Sequence, residues 1–407
     1  MKKLFAIATL ITGSLVMVSC GDDEGETITE VINELEGGLG VLVEANITSN
    51  TTWSADSIYV LADRIAVESG ATLTIEAGTI IKGQAGTGAN ATALVVAQGG
   101  TLNAQGTASA PIIFTSVADE ITVGQIDSPN LSTDVDGLWG GLIILGNAKI
   151  SVEGDASSTN IEGIPSTDSN GLYGGSDDSD NSGTITYVSV RHGGANIGEG
   201  NEINGITFGG VGSGTTVHHV EVIANQDDGI EWFGGTVSVS HALVLNNGDD
   251  AIDTDQAWAG TLDNFVIINP GDKGFELDGP EGTYEGAGHT ITNGTVYMGG
   301  CAGGYDDDSG TDAIVSNIYF TGVTDGTGTS NDYNVNGNFV ATNIEFDVTP
   351  VDLDDDGDTP DVAPLAADYF ADMVAAGGVI TEVTTATVGA DETEFSSWTM
   401  ASLRGEF

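Results

Sequence analysis

The middle of the chain repeats itself every 22 residues, and this repeat restricts the fold more than any other feature of the sequence. A valine, an asparagine and an aspartate each recur at that spacing. The three sets are Val222, Val244 and Val266; Asn225, Asn247 and Asn269; and Asp228, Asp250 and Asp272. A unit this short, built from β-branched runs and glycine-rich turns, cannot bury its own apolar side and must stack on its neighbours. The repeat therefore predicts a parallel β-helix, in which equivalent residues of successive rungs lie about 4.8 Å apart.

The predicted fold is all-β, a single-stranded parallel β-helix with rungs of about 22 residues that extends over residues 45–350. The general rule for crossover connections predicts that it is right-handed. A stack of repeats needs a cap, and we assign residues 351–407 to a small C-terminal cap. Apolar residues at helical spacing between Leu365 and Val374 predict a short helix within it.

The N-terminus has the features of a bacterial lipoprotein. Lys2-Lys3 is a positive segment, and residues 4–18 form an apolar stretch of signal-peptide length. Small residues then precede Cys20, as at the lipidation site of such proteins. We predict a signal peptide over residues 1–19, lipidation of Cys20 and an acidic tether over residues 20–44. The mature chain would then be attached to the outer membrane by lipid, and no later segment is apolar for long enough to span a bilayer.

The charge of the chain restricts its partners. Asp and Glu number 61 and Lys and Arg only 8, so the formal net charge is −53. Nucleic-acid binding is excluded, because the phosphate backbone is bound through lysine and arginine side chains. Cations, polar ligands such as polysaccharides, and basic protein surfaces are the partners that this charge favours.

The repeated aspartates predict a ladder of carboxylates at Asp228, Asp250 and Asp272. Carboxylates at the strand spacing repel one another unless a cation or hydrogen-bond donors lie between them. Asp253 and Asp255 add oxygen atoms nearby, and hard oxygen ligands suit Ca²⁺. The alternative is turn chemistry, in which each aspartate bonds to backbone N–H groups. Both interpretations stay open from the sequence.

A second acidic segment contains Asp352, Asp354 and Asp356, followed by Gly357. The spacing resembles the start of a calcium-binding loop, where alternate carboxylates surround the ion and glycine permits a sharp turn. An EF-hand is excluded because Ala363 occupies the twelfth position, where glutamate is required. A solvated acidic loop is the alternative.

Other side chains in the repeats could also contact a ligand. Trp232, Phe233 and Trp258 lie near the aspartates, and their rings could stack on a sugar or pack within the fold. His219, His241 and Asp263 share the 22-residue register and are metal-ligand types. We interpret these three as exposed strand side chains, because ligands from one column converge poorly. The repeated asparagines are interpreted as a structural amide ladder.

The segment 247–252, Asn-Gly-Asp-Asp-Ala-Ile, resembles the paired-aspartate motif of polygalacturonases. Two carboxylates can act there as the acid and the base of glycoside hydrolysis, so Asp228, Asp249 and Asp250 are the candidate catalytic residues. The downstream Gly-His-Gly and Arg-x-Lys elements are absent, and Arg191-His192 lies upstream. We therefore favour a non-enzymatic protein and keep a calcium-assisted polysaccharide hydrolase or lyase as the alternative.

Several blocks between about residues 60 and 300 resemble the β-helical outer-membrane lipoproteins of Bacteroidetes, and are also similar to a leptospiral outer-membrane lipoprotein. The blocks are residues 139–147, 161–165, 171–175, 187–194, 200–205, 227–235 and 248–260. The acidic run after Cys20 resembles the surface-export signal of the same lipoproteins. The resemblance implies a β-helix at the cell surface, and a link to TonB-dependent uptake receptors.

The sequence thus predicts a surface-exposed outer-membrane lipoprotein that acts as a non-enzymatic binding or accessory module. Its ligand would be a cation, a polysaccharide or an outer-membrane receptor. A purely structural adhesin or spacer is a further alternative.

Overall fold

A computed structural model of the protein divides the chain into two units, Met1–Val31 and Ile32–Phe407. The residues that it describes all belong to the second unit. They are residues 32–35, 38–195, 203–299, 304–307, 310–323, 339–348, 370, 374 and 377–407. The predicted signal peptide, Cys20, the loop with Asp352, Asp354 and Asp356, and most of the helix predicted between Leu365 and Val374 lie outside these residues.

The described residues form short strands separated by turns, as expected for the β-branched and glycine-rich sequence. In chain order the strands are β1 (Ile32–Leu35), β2 (Gly38–Val43), β3 (Thr51–Trp53), β4 (Ile58–Leu61), β5 (Arg64–Val67), β6 (Thr72–Ile75), β7 (Ile80–Gly83), β8 (Ala93–Val96), β9 (Thr101–Gln105), β10 (Ile112–Ser116), β11 (Leu142–Leu145), β12 (Thr159–Asn160), β13 (Leu172–Tyr173), β14 (Gly183–Arg191), β15 (Ile206–Gly209), β16 (Thr216–Ile223), β17 (Ile230–Phe233), β18 (Val239–Leu245), β19 (Ile252–Asp255), β20 (Thr261–Ile268), β21 (Phe275–Leu277), β22 (His289–Tyr297), β23 (Asp306–Asp307), β24 (Ala313–Val323), β25 (Val340–Val348) and β26 (Ile380–Glu382). Among the described residues, short 3₁₀ helices span Gly88–Asn90, Ser169–Gly171 and Glu392–Phe395, and an α-helix, α1, spans Met400–Arg404. None of the described helices is long and apolar enough to cross a membrane.

The strands assemble into two large parallel sheets, which confirms the predicted all-β parallel β-helix. Sheet A has 16 strands, with the main order β1-β2-β4-β7-β10-β14-β16-β18-β20-β22-β24-β25-β26. Sheet B has 8 strands, in the order β5-β8-β11-β15-β17-β19-β21-β23. Because β2 already pairs in parallel with β4, the coil begins before the predicted boundary at residue 45.

Sheet A has two faces that meet at a bend. In the first rungs each of these two faces is formed by a separate strand. Strand β9 pairs with the first half of β14, and β10 pairs with its second half. From β14 onward one long strand supplies both faces and turns at a residue with positive φ. These residues, which we call the bend column, are Tyr187, His219, His241, Asn264, Asn293, Asn317 and Asn343, with φ between 51° and 59°. Asparagine and histidine are among the non-glycine residues that adopt this conformation most readily.

The register of the repeat changes by one residue after β18. Val222 pairs with Val244 across a 22-residue step, but Val244 pairs with Ile267 across a 23-residue step. The third member of each predicted set is therefore displaced. Val266 pairs instead with Leu243, and a one-residue shift moves a side chain to the other face of its sheet.

The predicted amide ladder is wrong in its position. Asn225 and Asn247 donate to backbone carbonyls of their turns, including those of Asp228 and Asp249. Stacked amides occur instead in the bend column. There Asn317 donates to Asn293, and Asn343 donates to Asn317, at 3.1 Å in each case. Side chains in this column lie directly above one another, so each amide can bond to the next.

The described C-terminal residues include the short helix α1 and lie at the end of the stack and along its flank. Strand β26 adds one more rung beside β25, after which the chain returns along the flank of sheet A. We call residues 391–407 the strap. Its side chains pack on the outward apolar residues of β16, β18 and β20, and this cluster contains Ile223, Leu243, Leu245, Val266, Ile268, Phe395, Trp398, Met400 and Ala401. Removal of this apolar surface from water favours the flank position.

A buried ion pair fixes the strap to the coil. Arg191 and Glu221 have fully buried side chains, and Arg191 NH2 lies 3.5 Å from Glu221 Oε2. Glu221 Oε1 accepts a hydrogen bond of 3.0 Å from the backbone N–H of Ala401 in α1. Ser189 donates to the same glutamate at 2.5 Å. Arg191 is therefore a structural residue, not part of a displaced catalytic motif.

Candidate functional site

The acidic residues of the repeat lie at one edge and on the outward face of sheet B. Along β17 and β19, Ile230, Trp232 and Ile252 point into the core, which leaves the alternate positions outward. Glu231 pairs with Asp253 on the next rung, and Asp253 pairs with Glu276 on the rung after that. The pairing places Glu231 in the same outward column as Asp253.

Three carboxylates converge next to β15. Single oxygen atoms of Asp228, Glu231 and Asp253 all lie within 4.8 Å of one another. Asp228 and Glu231 are buried, with exposed fractions of 8% and 5%. Asn204, only 1% exposed, donates from Nδ2 to Glu231, and its Oδ1 is a buried atom without a hydrogen-bond partner. We call these four residues the acidic site, a set of hard oxygen atoms of the kind that calcium prefers.

Turn chemistry and a cation site are both compatible with this geometry. Asp228 Oδ1 accepts a hydrogen bond of 2.9 Å from the backbone N–H of Asp250, so the aspartate does stabilise the turn of the next rung. Each carboxylate has a second oxygen, and Asp228 also belongs to the converging set. The same side chain thus makes the turn hydrogen bond and contributes an oxygen to the converging group.

The predicted ladder continues differently on the next rung. Asp250 Oδ1 accepts from the backbone N–H of Lys273 at 2.6 Å, so Lys273 and not Asp272 follows Asp250 in register. The Lys273 ammonium group lies 2.7 Å from Asp272. Asp249, Asp250 and Asp272 form a second converging group, and Asp227, Asp228 and Asp249 a third. The 22-residue repeat did not predict Lys273 at this position, because Lys273 stands 23 residues after Asp250.

Burial makes the acidic site difficult to ionise. Loss of hydration raises the pKa of Asp228, Glu231 and Asp253 well above the usual range, and neighbouring carboxylates raise each of them further. Burial, together with Glu276, raises the pKa of Asp250 to about 9. At neutral pH the folded chain therefore holds protons in this region, or exchanges them for a cation.

Asp255 is the remaining described member of the predicted metal set. It follows Asp253 on the outward side of β19 and does not belong to the converging groups found among the described residues. Burial and the charge of Asp278 raise the pKa of Asp255 to about 8. Asp255 therefore lies beside the acidic site without contributing a converging oxygen.

Of the two alternatives for Trp232, Phe233 and Trp258, the structure shows packing within the fold. Trp232 and Trp258 are inside the coil, where their rings stack on each other with centroids 4.7 Å apart. Phe233 points outward but is covered by Tyr173, at 6.1 Å between ring centroids. Apolar side chains at consecutive rungs pack more favourably against one another than against water, so none of the three presents a face to solvent.

The arrangement of Asp249 and Asp250 is compatible with acid catalysis. The raised pKa of Asp250 keeps this carboxyl group protonated at neutral pH, as a general acid must be. Asp249 is exposed, and burial raises its pKa as well. Lys273 is unsuited to act as a base, because its contacts with Asp272 and Asp250 raise its pKa and keep it charged.

Comparison with known proteins agrees with the fold. A family model described as a pectate-lyase like beta helix domain matches residues 45–402. No curated protein and no solved structure matches the chain. The matched range includes every residue of the acidic site.

Proposed function

Because the chain belongs to the pectate-lyase-like beta-helix family, we propose that it binds polysaccharide through a calcium ion held by the acidic site. The family description points to a polysaccharide-related role. The observation that carries the proposal is the convergence of Asp228, Glu231 and Asp253 beside the unpartnered oxygen of Asn204. Three carboxylates in a buried setting favour a divalent cation, which would replace the protons held there.

Calcium would also determine which polysaccharides bind. The net charge of −53 repels a uronate chain, which is itself negatively charged. A calcium ion with open coordination positions attracts both sugar carboxylates and vicinal hydroxyl groups. We therefore expect retention of polygalacturonate to depend strictly on calcium, and retention of neutral glycans to be weaker.

The test measures retention of the full-length chain on immobilised polygalacturonate and on a neutral glucan, with calcium or with chelator. We expect retention with calcium, loss with chelator, and at least about tenfold weaker binding in the Asp253→Asn variant. The matched control is Glu44→Gln, which removes one charge from an exposed residue outside the acidic site. Retention that is indifferent to chelator, or equal in the Asp253→Asn and Glu44→Gln variants, would refute the proposal.

Hydrolysis by Asp249 and Asp250 is the second candidate function. The observation in its favour is the protonated state of Asp250 next to an exposed carboxylate. New reducing ends that appear with the wild-type chain and are lost in Asp250→Asn would support it. New unsaturated ends would indicate a lyase instead. Retention without either product supports binding without cleavage.

The cellular address is a separate part of the proposal. We place the protein at the outer membrane, attached through lipidated Cys20 and exposed at the cell surface, on the sequence features of residues 1–24. In this position it would present polysaccharide to an outer-membrane uptake receptor. Replacement Cys20→Ala should release the chain from the membrane fraction, and persistence in that fraction would contradict the anchor.

A further inference from the structure

Three of the five histidines of the chain lie together beneath the strap, away from the acidic site. His219 and His241 occupy consecutive rungs of the bend column, and His218 precedes His219 on β16. The strap brings Glu394 to the same place. Sequence analysis grouped His219 and His241 with Asp263 and favoured a non-ligating role. The 23-residue step instead pairs Asp263 with Ser240, and Asn293 donates to it.

The donor atoms of the cluster lie close together, and one pair has the spacing of zinc ligands. One nitrogen of each of His219 and His241 and one oxygen of Glu394 lie within 4.8 Å of one another. His219 Nε2 is 3.3 Å from Glu394 Oε2. A tetrahedral zinc ion with bonds of about 2.0–2.1 Å separates its ligand atoms by about 3.3–3.4 Å. The imidazole rings are stacked nearly parallel, with centroids 4.2 Å apart, so coordination of one ion requires the rings to rotate until their in-plane lone pairs converge.

Both imidazoles also have the second partner that is typical of metal-bound histidine. His219 Nδ1 is 2.8 Å from His218 Nδ1, and His241 Nδ1 is 3.1 Å from Ser240 Oγ. These contacts engage Nδ1 of each ring, so Nε2 is the nitrogen left for a metal. A partner at the opposite nitrogen orients the ring and raises its basicity toward the ion.

The bend column supplies an independent argument. Four later rungs have asparagine at this position, namely Asn264, Asn293, Asn317 and Asn343, where positive φ is required. Asparagine therefore meets the requirement of the bend for positive φ. Histidine is present at the two rungs whose bend residues lie beside Glu394. This indicates that the imidazole ring has a role at these two positions. Imidazole with a carboxylate is a ligand set for zinc and similar transition metals.

We propose that His219, His241 and Glu394 bind a divalent transition-metal ion of the zinc class, which fastens the strap to the β-helix. Two ligands come from the coil and one from the strap, and water completes the coordination sphere. The apolar face formed by Leu243, Val266 and their neighbours is covered by the same strap. Loss of the ion therefore weakens the cover over this face.

The test uses Co²⁺ as a probe on the full-length chain, because tetrahedral Co²⁺ absorbs visible light and Zn²⁺ displaces it. Excess calcium is present throughout, so that carboxylate groups elsewhere are saturated. The variants are His241→Asn, which keeps the residue type of the later bends, and Glu394→Gln on the strap. The matched control is Glu392→Gln, a strap residue that accepts a hydrogen bond from Tyr297 and lies outside the cluster.

We expect the wild-type chain and Glu392→Gln to bind one Co²⁺ with visible absorption. His241→Asn and Glu394→Gln should bind it at least about tenfold more weakly. Zinc should also slow hydrogen exchange in residues 395–401 of the wild type. Equal Co²⁺ affinity in His241→Asn, or no visible absorption with the wild type, would overturn the proposal. Equal urea midpoints of the wild type and a variant in chelator show that the variant is folded. If His241→Asn does not fold, Glu394→Gln still tests the proposal, because Glu394 is exposed.

Discussion

Raising the pH from 7 to 8 in the presence of a calcium chelator should destabilise this protein by at least about 2 kcal/mol. Asp250 and Asp255 have folded-state pKa values of about 9 and about 8, both raised first by burial, whereas the usual value is 3.8. A carboxyl group with a raised folded pKa contributes stability that is fully present below its unfolded pKa. That contribution is lost as the pH rises through the folded pKa, so the loss continues across this interval.

The magnitude follows from the protons bound in each state. Between pH 7 and 8 the unfolded chain holds essentially no proton on either aspartate. At about 1.36 kcal/mol per bound proton per pH unit, the folded chain loses about 1.3 kcal/mol through Asp250 and about 1 kcal/mol through Asp255. The histidines with lowered pKa act in the opposite direction, because they are neutral when folded; they are His192, His218, His219 and His289. Their contribution above pH 7 is at most about 0.6 kcal/mol, since unfolded histidine is mostly neutral there.

The assay is urea denaturation at pH 7.0, 7.5 and 8.0 with chelator, repeated with calcium. Calcium should reduce the dependence on pH, because its positive charge in the acidic site lowers the pKa of the neighbouring carboxyl groups, and at 100 times its Kd it should add about 2.7 kcal/mol. In chelator, Asp250→Asn should reduce the loss by about 1.3 kcal/mol, because it removes one titrating group. Glu44→Gln should leave the loss unchanged. A free energy of unfolding that is constant or rises from pH 7 to 8 in chelator would refute the reasoning.

Three further predictions concern the fold itself. Glu221→Ala should destabilise the chain by about 3–5 kcal/mol, because it leaves the charge of Arg191 buried without its partner. The control Glu382→Ala, at an exposed residue, should change the free energy of unfolding by less than about 0.5 kcal/mol. Trp232→Ala should cost about 3–5 kcal/mol in thermal or urea unfolding while polygalacturonate retention stays unchanged in the folded fraction; reduced retention would restore a ligand-binding role for this ring. Gly294→Ala should destabilise by about 1–3 kcal/mol or more, because the added methyl group overlaps the buried ring of Phe265, and a variant as stable as wild type would show that the ring can move aside.

The coarse fold was predictable from sequence because it depends on periodicity. Recurrent valines, asparagines and aspartates at one spacing leave stacking as the means of burying the apolar side of each unit. The position of the acidic site was predictable for the same reason, since Asp228 and Asp253 fall on neighbouring rungs whose step is 22 residues. The predicted lipid anchor and outer-membrane location remain predictions from the N-terminal segment.

The composition of each site was less predictable. Asp272 was placed after Asp250 because both are aspartates 22 residues apart, but the turn gains one residue there and brings Lys273 into register. The sequence left open whether the aromatic residues stack on a sugar or pack within the fold, because they neighbour the aspartates in sequence. In a strand, neighbouring side chains point to opposite faces, so Trp232 enters the core while Glu231 faces outward.

By itself, the sequence determined the all-β repeat, the parallel stacking and the concentration of carboxylates along one edge of the coil. Those properties follow from short-range spacing, which every rung carries in its own residues. Tertiary structure decided which residues meet across long separations. Asn204 lies 27 residues from Glu231, and Glu394 reaches His219 across 175 residues because the strap returns along sheet A. That return depends on burial of an outward apolar face and on the Arg191–Glu221 pair, and neither leaves a periodic signal in the chain.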